Sequence, residues 1–226
     1  MKVLKVAGVV VAVLLVAFFG IAWMLPDARH VERSILIEAE PETIYDLVDS
    51  FDRFNEFSPW YARDPGMKQT LEGPADGVGH RMTWESDKDD VGNGSQEIVA
   101  VSPPNRVETE LDFGFGEPPH ATFLIEPRDS GSRVTWALDS TFHNDLIGRY
   151  FGLKLDDWVG PDYERGLERL KAVAEADQRE KARVDDDVAA LENGADTPTN
   201  AGGVTGTEVI GDVDEVKDSE SPADMP

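Results

Sequence analysis

Hydrophobic positions along this chain change period from segment to segment, and each period predicts a different element. Residues 6–25 form a run of 20 without a charged or strongly polar side chain. At about 1.5 Å of rise per residue, such a run spans about 30 Å, the thickness of one hydrocarbon core. Over 31–38 the period becomes two: Val31, Arg33, Ile35 and Ile37 alternate with Glu32, Ser34, Leu36 and Glu38, as in a strand with one buried face. A short amphipathic helix follows, with Pro41 at its first position, Glu42 at the positive end of its dipole, and Ile44, Leu47 and Val48 on one face. Phe51, Phe54, Phe57 and Trp60 then recur every third residue, which predicts a second short helix with an aromatic edge. Ser58-Pro59 ends it, because proline pushes the preceding residue out of the helical region.

From Met67 to Phe142 the period is again two. Strands are expected at 68–72, 79–86, 95–101, 106–113, 121–128 and 132–141, separated by Gly-, Pro-, Asn- and Asp-rich turns. Those connections are too short for parallel crossovers, so the sheet is expected to be an antiparallel meander of seven strands, counting 31–38. Parity sorts its faces. Met82 and Trp84 share a side with His80. Val107, Thr109, Leu111 and Phe113 share one, as do Ala121, Phe123 and Ile125, and Val134, Trp136 and Leu138, while the alternate positions are mostly charged or polar. One apolar face needs a cover. Phe151, Leu155, Val159, Tyr163, Leu167, Leu170 and Ala174 supply it, recurring at steps of three and four with Trp158 beside them. This predicts a long helix reaching about residue 182 and interrupted near Gly160-Pro161.

The two ends of the chain differ from this middle. Lys2 and Lys5 precede the apolar run, which places the N-terminus in the cytoplasm and the rest on the extracytoplasmic side. A cleaved signal peptide is the competing reading, but its apolar region is normally about 7–15 residues long and ends in small residues. Here Trp23-Met24-Leu25-Pro26 stands in that place, so residues 1–26 are read as a retained single-pass anchor in the inner membrane. Residues 185–226 carry 12 acidic side chains against Lys217 and hold no aromatic residue, so they are read as a disordered acidic tail. Of the formal net charge of −24, the tail contributes −11 and the two leading lysines +2, which leaves −15 on one folded domain at 27–184. That balance argues against nucleic acid as a partner, since phosphates require clustered Lys and Arg. The absence of cysteine excludes disulfides, thiolate metal sites and thiol nucleophiles.

Several stretches together resemble a known superfamily. Phe54-Asn55-Glu56-Phe57-Ser58-Pro59-Trp60 followed by Asp64-Pro65 is similar to the W-x-x-W-S-P-W…D-P stretch of START-like (SRPBCC) proteins, with phenylalanines in place of two tryptophans. Gly77-Val78-Gly79 before Trp84, and Gly92-Asn93-Gly94, resemble the family's glycine-marked hairpins. Ser132-Arg133-Val134-Thr135-Trp136 resembles its T-x-V-T-W element, and the segment from Asp162 to Lys171 its closing D-F-E-x-G-L-x-x-L-K helix. The resemblance covers about residues 31–175. It implies an α+β helix-grip fold: a curved sheet around a long C-terminal helix, two short helices after the first strand, and a hydrophobic cavity between. On the parity above, the expected cavity residues are Met82, Trp84, Val107, Thr109, Leu111, Phe113, Phe123, Ile125, Trp136, Leu138, Leu155, Trp158 and Val159, with Phe54, Phe57 and Trp60 at its lip. Members bind lipids, sterols, polyketides, plant hormones or quinones, and the polyketide cyclase/dehydrase branch includes a few enzymes, so fold alone does not deliver function.

Catalytic groups are sparse. His30, His80, His120 and His143 are scattered without helical pairing, so neither a metal nor a cofactor site is expected. Asp87-Lys88-Asp89-Asp90-Val91-Gly92 departs from a calcium loop at Val91 and Ile98 and reads as a solvated hairpin. His80 is the one weak catalytic candidate, as a general acid or base on the inward face. The preferred reading is a membrane-anchored binding module for a hydrophobic small molecule or lipid, attached through residues 6–25. Two others stay open: a cyclase- or dehydratase-type enzyme acting on an aromatic or polyketide-like substrate, and an interaction protein whose acidic tail recruits a partner.

Overall fold

A computed structural model describes residues 2–195 of the protein. The apolar run forms α1 (Lys2–Met24), hydrophobic on all sides. β1 (Ala28–Ile37) follows almost at once, so only Leu25, Pro26 and Asp27 connect helix to sheet. Next come α2 (Pro41–Val48), α3 (Phe54–Phe57), α4 (Pro59–Arg63), β2 (Lys68–Glu72), β3 (Arg81–Glu85), β4 (Gly94–Ser102), β5 (Arg106–Asp112), β6 (His120–Arg128), β7 (Gly131–Thr141), α5 (Gly148–Gly152) and α6 (Leu155–Ala195). All strand pairs are antiparallel, in the order β1-β7-β6-β5-β4-β3-β2. This is the expected seven-stranded meander. The short helices bridge from β1 on one edge to β2 on the other, and α6 covers the inward face.

Three local features depart from the sequence pattern. The aromatic row lies on two short helices instead of one. Pro59 holds Ser58 extended (φ −60°, ψ 122°), so α3 ends at Phe57 and Ser58 caps α4, its hydroxyl accepting from the Tyr61 N–H at 3.2 Å. In β4 the register shifts between Ile98 and Ala100, so that Ile98 opposes Thr109 and Val101 opposes Val107. The extra residue of this β-bulge moves the inward set from Gln96 and Ile98 to Val101. Finally, α6 runs through Gly160-Pro161 without a break. Pro161 lies early in the helix on its exposed side, where the carbonyl it leaves unpaired faces water. α6 also continues past residue 182, and residues 185–195, assigned to the disordered tail, are helical. The compact unit ends at Asp186. The remainder of the expected tail, 196–226, lies outside the described residues.

The core joins α2, α3, the inward strand positions and α6. At its centre Trp136 stacks on Phe123 (4.6 Å between ring centroids) and on Tyr163 (4.1 Å, planes within 7°), with the edges of Phe57 and Trp60 against it. Gly166 makes that stack possible, because a Cβ there would lie 2.6 Å from Trp136 Cζ3. Ion pairs fasten the periphery. Arg53 bridges Glu56 (2.7 Å) and Asp177 (2.5 Å), tying α3 to α6, and Arg33 bridges Asp156 (2.9 Å) and Glu164 (2.7 Å), tying β1 to α6. The buried Asp162 carboxylate accepts from both Arg63 and Arg165.

Candidate functional site

A cavity of about 160 Å³ lies between the sheet and α6. The sheet contributes alternate side chains to its wall: Gln69 from β2, Met82 and Trp84 from β3, Gln96 from β4, Leu111 from β5 and Leu138 from β7, with Phe113 just beyond β5. Val159 and Tyr163, one helical turn apart on α6, close the opposite side, and Phe54, Ser58 and Trp60 close one end. Met67 and Val91 complete the wall.

The expected residues divide into three groups. Met82, Trp84, Leu111, Phe113, Leu138 and Val159 border the cavity, as do Phe54 and Trp60 from the expected lip. Val107, Thr109, Phe123, Ile125, Trp136 and Phe57 lie in the packed core and do not border it. Leu155 packs partly buried against the core. Trp158 is 54% exposed, because the inward positions 155, 159 and 163 step by four and Trp158 lies about 100° from Val159 around the helix.

Sequence reasoning missed Ser58, Met67, Gln69, Val91, Gln96 and Tyr163. For Gln96 a signal existed: it is a polar side chain on the parity of the buried Ile98. Tyr163 was assigned to the inward helix face but not to the cavity.

The polar groups of the wall are few, and those of Ser58 and Gln69 are engaged within the protein. Gln69 exchanges hydrogen bonds with Asn55, donating at 3.1 Å and accepting at 2.6 Å. The Gln96 amide donates to Thr109 Oγ1 at 2.8 Å, and its side-chain carbonyl oxygen accepts no hydrogen bond among the described residues. Burial pushes the Tyr163 phenol far above its ordinary range, so it stays protonated. An apolar wall with a few placed polar groups suits a largely hydrophobic molecule.

His80 lies elsewhere. It is buried, its ring stacks on Phe51 at 5.2 Å, and Nδ1 is 2.6 Å from the Pro74 carbonyl. It is not part of the cavity wall. Among the described residues no group of three His, Asp or Glu side chains is placed to hold a metal ion.

Near His80, burial raises the carboxyl of Asp49 above its usual range, and the charges of Asp76 and Asp46 act in the same direction. A carboxyl raised in the folded state costs stability as pH rises through the interval between its unfolded and folded values. Asp49→Asn is therefore expected to raise Tm at pH 7, with the gain shrinking to nothing near about pH 3, where both side chains are neutral. A gain independent of pH would place the effect in packing instead.

Register relates the cavity to α1. Ala28 pairs with Thr141, His120 with both Asp139 and Glu110, Ser95 with Asp112, and Gly94 with Trp84. The end of the sheet from which α1 departs is therefore the end that carries Trp84 and Phe113. α1 itself, 23 residues, is long and apolar enough to cross a membrane, as a signal sequence also can be.

Comparison with known proteins adds the family. No curated protein sequence matches. Among solved structures, the di-domain ARO/CYC StfQ from the steffimycin biosynthetic pathway aligns with a TM-score of 0.51 at 12% identity, over 66% of this chain and 51% of that one. The chain thus spans about half of that two-domain protein. A protein of unknown function from Staphylococcus aureus aligns with a TM-score of 0.51 at 12% identity, over 67% of this chain and 96% of its own. At these identities the likeness is one of fold. The sequence profile described as polyketide cyclase/dehydrase and lipid transport matches residues 28–175, more than half of the chain. On that match and the helix-grip architecture beneath it, the protein belongs to the polyketide cyclase/dehydrase and lipid transport family.

Proposed function

We propose that this protein is a membrane-anchored binding module that holds a hydrophobic small molecule, or one end of a lipid, in the cavity between sheet and α6. The observation that carries the reading is the wall itself, built from aromatic and aliphatic side chains of strands, short helices and α6 with few polar groups among them. Lipid transport in the family description and the di-domain ARO/CYC StfQ of a biosynthetic pathway among the structural neighbours both suit a hydrophobic ligand. Neither supplies a reaction. His80, the one catalytic candidate, lends no support to an enzyme because it does not border the cavity.

Volume narrows the ligand class. About 160 Å³ is close to the roughly 150 Å³ of an engineered cavity that binds benzene, and below the roughly 300 Å³ at which drug-sized pockets begin. A single ring, or the last carbons of an acyl chain, matches this space. The Gln96 carbonyl suits a hydroxyl or amine at the buried end.

Two observations support retention of α1 as an anchor. Its Ala22 is fully buried, and Arg149 of the folded domain donates to the carbonyls of Trp23 and Leu25. With three residues between α1 and β1, the end of the sheet carrying Trp84 and Phe113 stays close to the bilayer, within reach of membrane-dissolved ligands. Lys2 and Lys5 favour the cytoplasmic side for the N-terminus.

The test is native mass spectrometry of the full-length protein purified from its source organism, followed by extraction. The expected result is an apolar compound bound at one per chain. A well-folded chain that carries no bound mass and takes up no fluorescent fatty acid would sink the binding reading.

A further inference from the structure

A second apolar surface lies outside the cavity, on the segment that joins β7 to α6 and on the first turn of α6. Ile147, Phe151, Leu153 and Trp158 are 56%, 57%, 49% and 54% exposed, and the rings of Phe151 and Trp158 lie 6.2 Å apart. A single exposed hydrophobic residue needs no explanation. Four large ones in one short segment, two of them aromatic neighbours, form a patch that marks an interaction site.

Other side chains of the same segment grip α1. Tyr150 Oη donates to the Phe18 carbonyl at 2.7 Å, and the two rings stack with centroids 4.6 Å apart. Arg149 donates to the carbonyls of Trp23 (3.3 Å) and Leu25 (3.1 Å), and to that of His143 at 2.6 Å. Carbonyls at a helix C-terminus lack intrahelical partners and form the negative end of the helix dipole, so a guanidinium satisfies both needs. Only 11% of the Arg149 side chain is exposed, and the Asp27 carboxylate is 4.0 Å away. The end of α1 is thus capped by protein instead of water.

These contacts set a depth. Phe18 lies seven residues before Leu25, about 10 Å along the helix from the end of the apolar run. The polar layer of a bilayer is only about 5–8 Å thick on each side. If residues 6–25 fill the hydrocarbon core, the contact with Phe18 lies about 10 Å inside it, so the Tyr150 side chain passes the headgroups and enters the acyl chains. We infer that α5 and its flanks are a membrane-insertion surface, with Ile147, Phe151, Leu153 and Trp158 seated in the lipid beside α1. The inference rests on the anchor reading above. Lipid is the occupant because α1 is apolar on all sides and Tyr150, next to Phe151 in the chain, lies against it at Phe18. Tryptophan and tyrosine, here Trp158 and Tyr150, are at home at the boundary of that layer. Lys154, Asp156 and Asp157, exposed between Leu153 and Trp158, provide a polar border at headgroup level. An apolar attachment also fits a domain carrying −15, which anionic headgroups repel.

The chain has no cysteine, so single-cysteine variants report one site at a time. Full-length Phe151→Cys, Leu153→Cys, Val13→Cys within α1, and Leu36→Cys on the exposed face of β1 are labelled with an environment-sensitive fluorophore. Each is then reconstituted into phosphatidylcholine vesicles with or without lipid carrying a doxyl quencher near the headgroup. The expected result is blue-shifted emission at 151 and 153, and about a twofold or greater loss of fluorescence with the shallow quencher, while the probe at 36 is unaffected. Probes at 151 and 153 that behave like the one at 36, while 13 is shielded from water, overturn the insertion surface and leave the anchor standing. A water-exposed probe at 13 overturns both.

Discussion

Replacing Gly166 with valine is expected to destabilise the domain by about 2–3 kcal/mol, seen as a loss of about 4–12 °C in Tm for the full-length protein. The cause is the close approach of α6 to the sheet. A Cβ at Gly166 would stand 2.6 Å from Trp136 Cζ3 and 3.4 Å from Pro59 Cδ. Trp136 has nowhere to move, since Phe123 and Tyr163 stack on it and Phe57 and Trp60 meet it edge-on. The helix must therefore shift outward, opening the Tyr163–Trp136 stack. Alanine is expected to cost less, because its helix propensity, about 1 kcal/mol better than glycine's, offsets part of the clash. A valine variant that melts within about a degree or two of the parent would show that the stack yields easily and does not fix the position of α6.

The second large effect is on binding. Val159→Trp is expected to lower the bound compound recovered per chain by more than about tenfold, a change worth about 1.4 kcal/mol or more. Val159 lies on the α6 side of the cavity, opposite the strand residues, so an indole there occupies the space the ligand needs. Because the added ring enters existing space, Tm should change by far less than for the Gly166 variant. Val159→Ala provides the comparison: it removes two methyl groups from the wall and is expected to keep the bound compound. Full occupancy in the tryptophan variant would place the ligand outside this cavity.

Much of the architecture could be read without coordinates. Strand alternation, short turns and the three-four spacing of the last helix are local properties, and they predicted seven antiparallel strands with α6 on one face. The errors lie where one local rule meets another or where a neighbour intervenes. Proline at 59 divides the aromatic row, so Trp60 belongs to α4 and not to the helix of Phe54 and Phe57. Proline at 161 was expected to interrupt α6, but it lies on an exposed early turn, where the freed carbonyl is open to solvent, and the helix continues. The bulge after Ile98 has no marker in the sequence, and it changes which residues of β4 face inward.

Parity also overstated the cavity. Trp136 and Leu138 share a strand and a face, yet only Leu138 borders open space. Tyr163 covers Trp136 at 4.1 Å because Gly166 lets the helix descend there, and no rule of alternation reports the height of a helix above a sheet.

The sequence by itself determined the periods, and through them the faces: an apolar run long enough to cross a bilayer, one buried side on each strand, one buried stripe on the last helix, and an acid excess that argues against nucleic acid. These follow from side-chain geometry within a few residues. Only the tertiary structure decided which inward residues meet each other and which meet a cavity, that Gln96 spends its amide on Thr109, and that Tyr150 and Arg149 grip the end of α1. Each of those depends on the distance between elements far apart in the chain, and that distance is set by packing of the whole core.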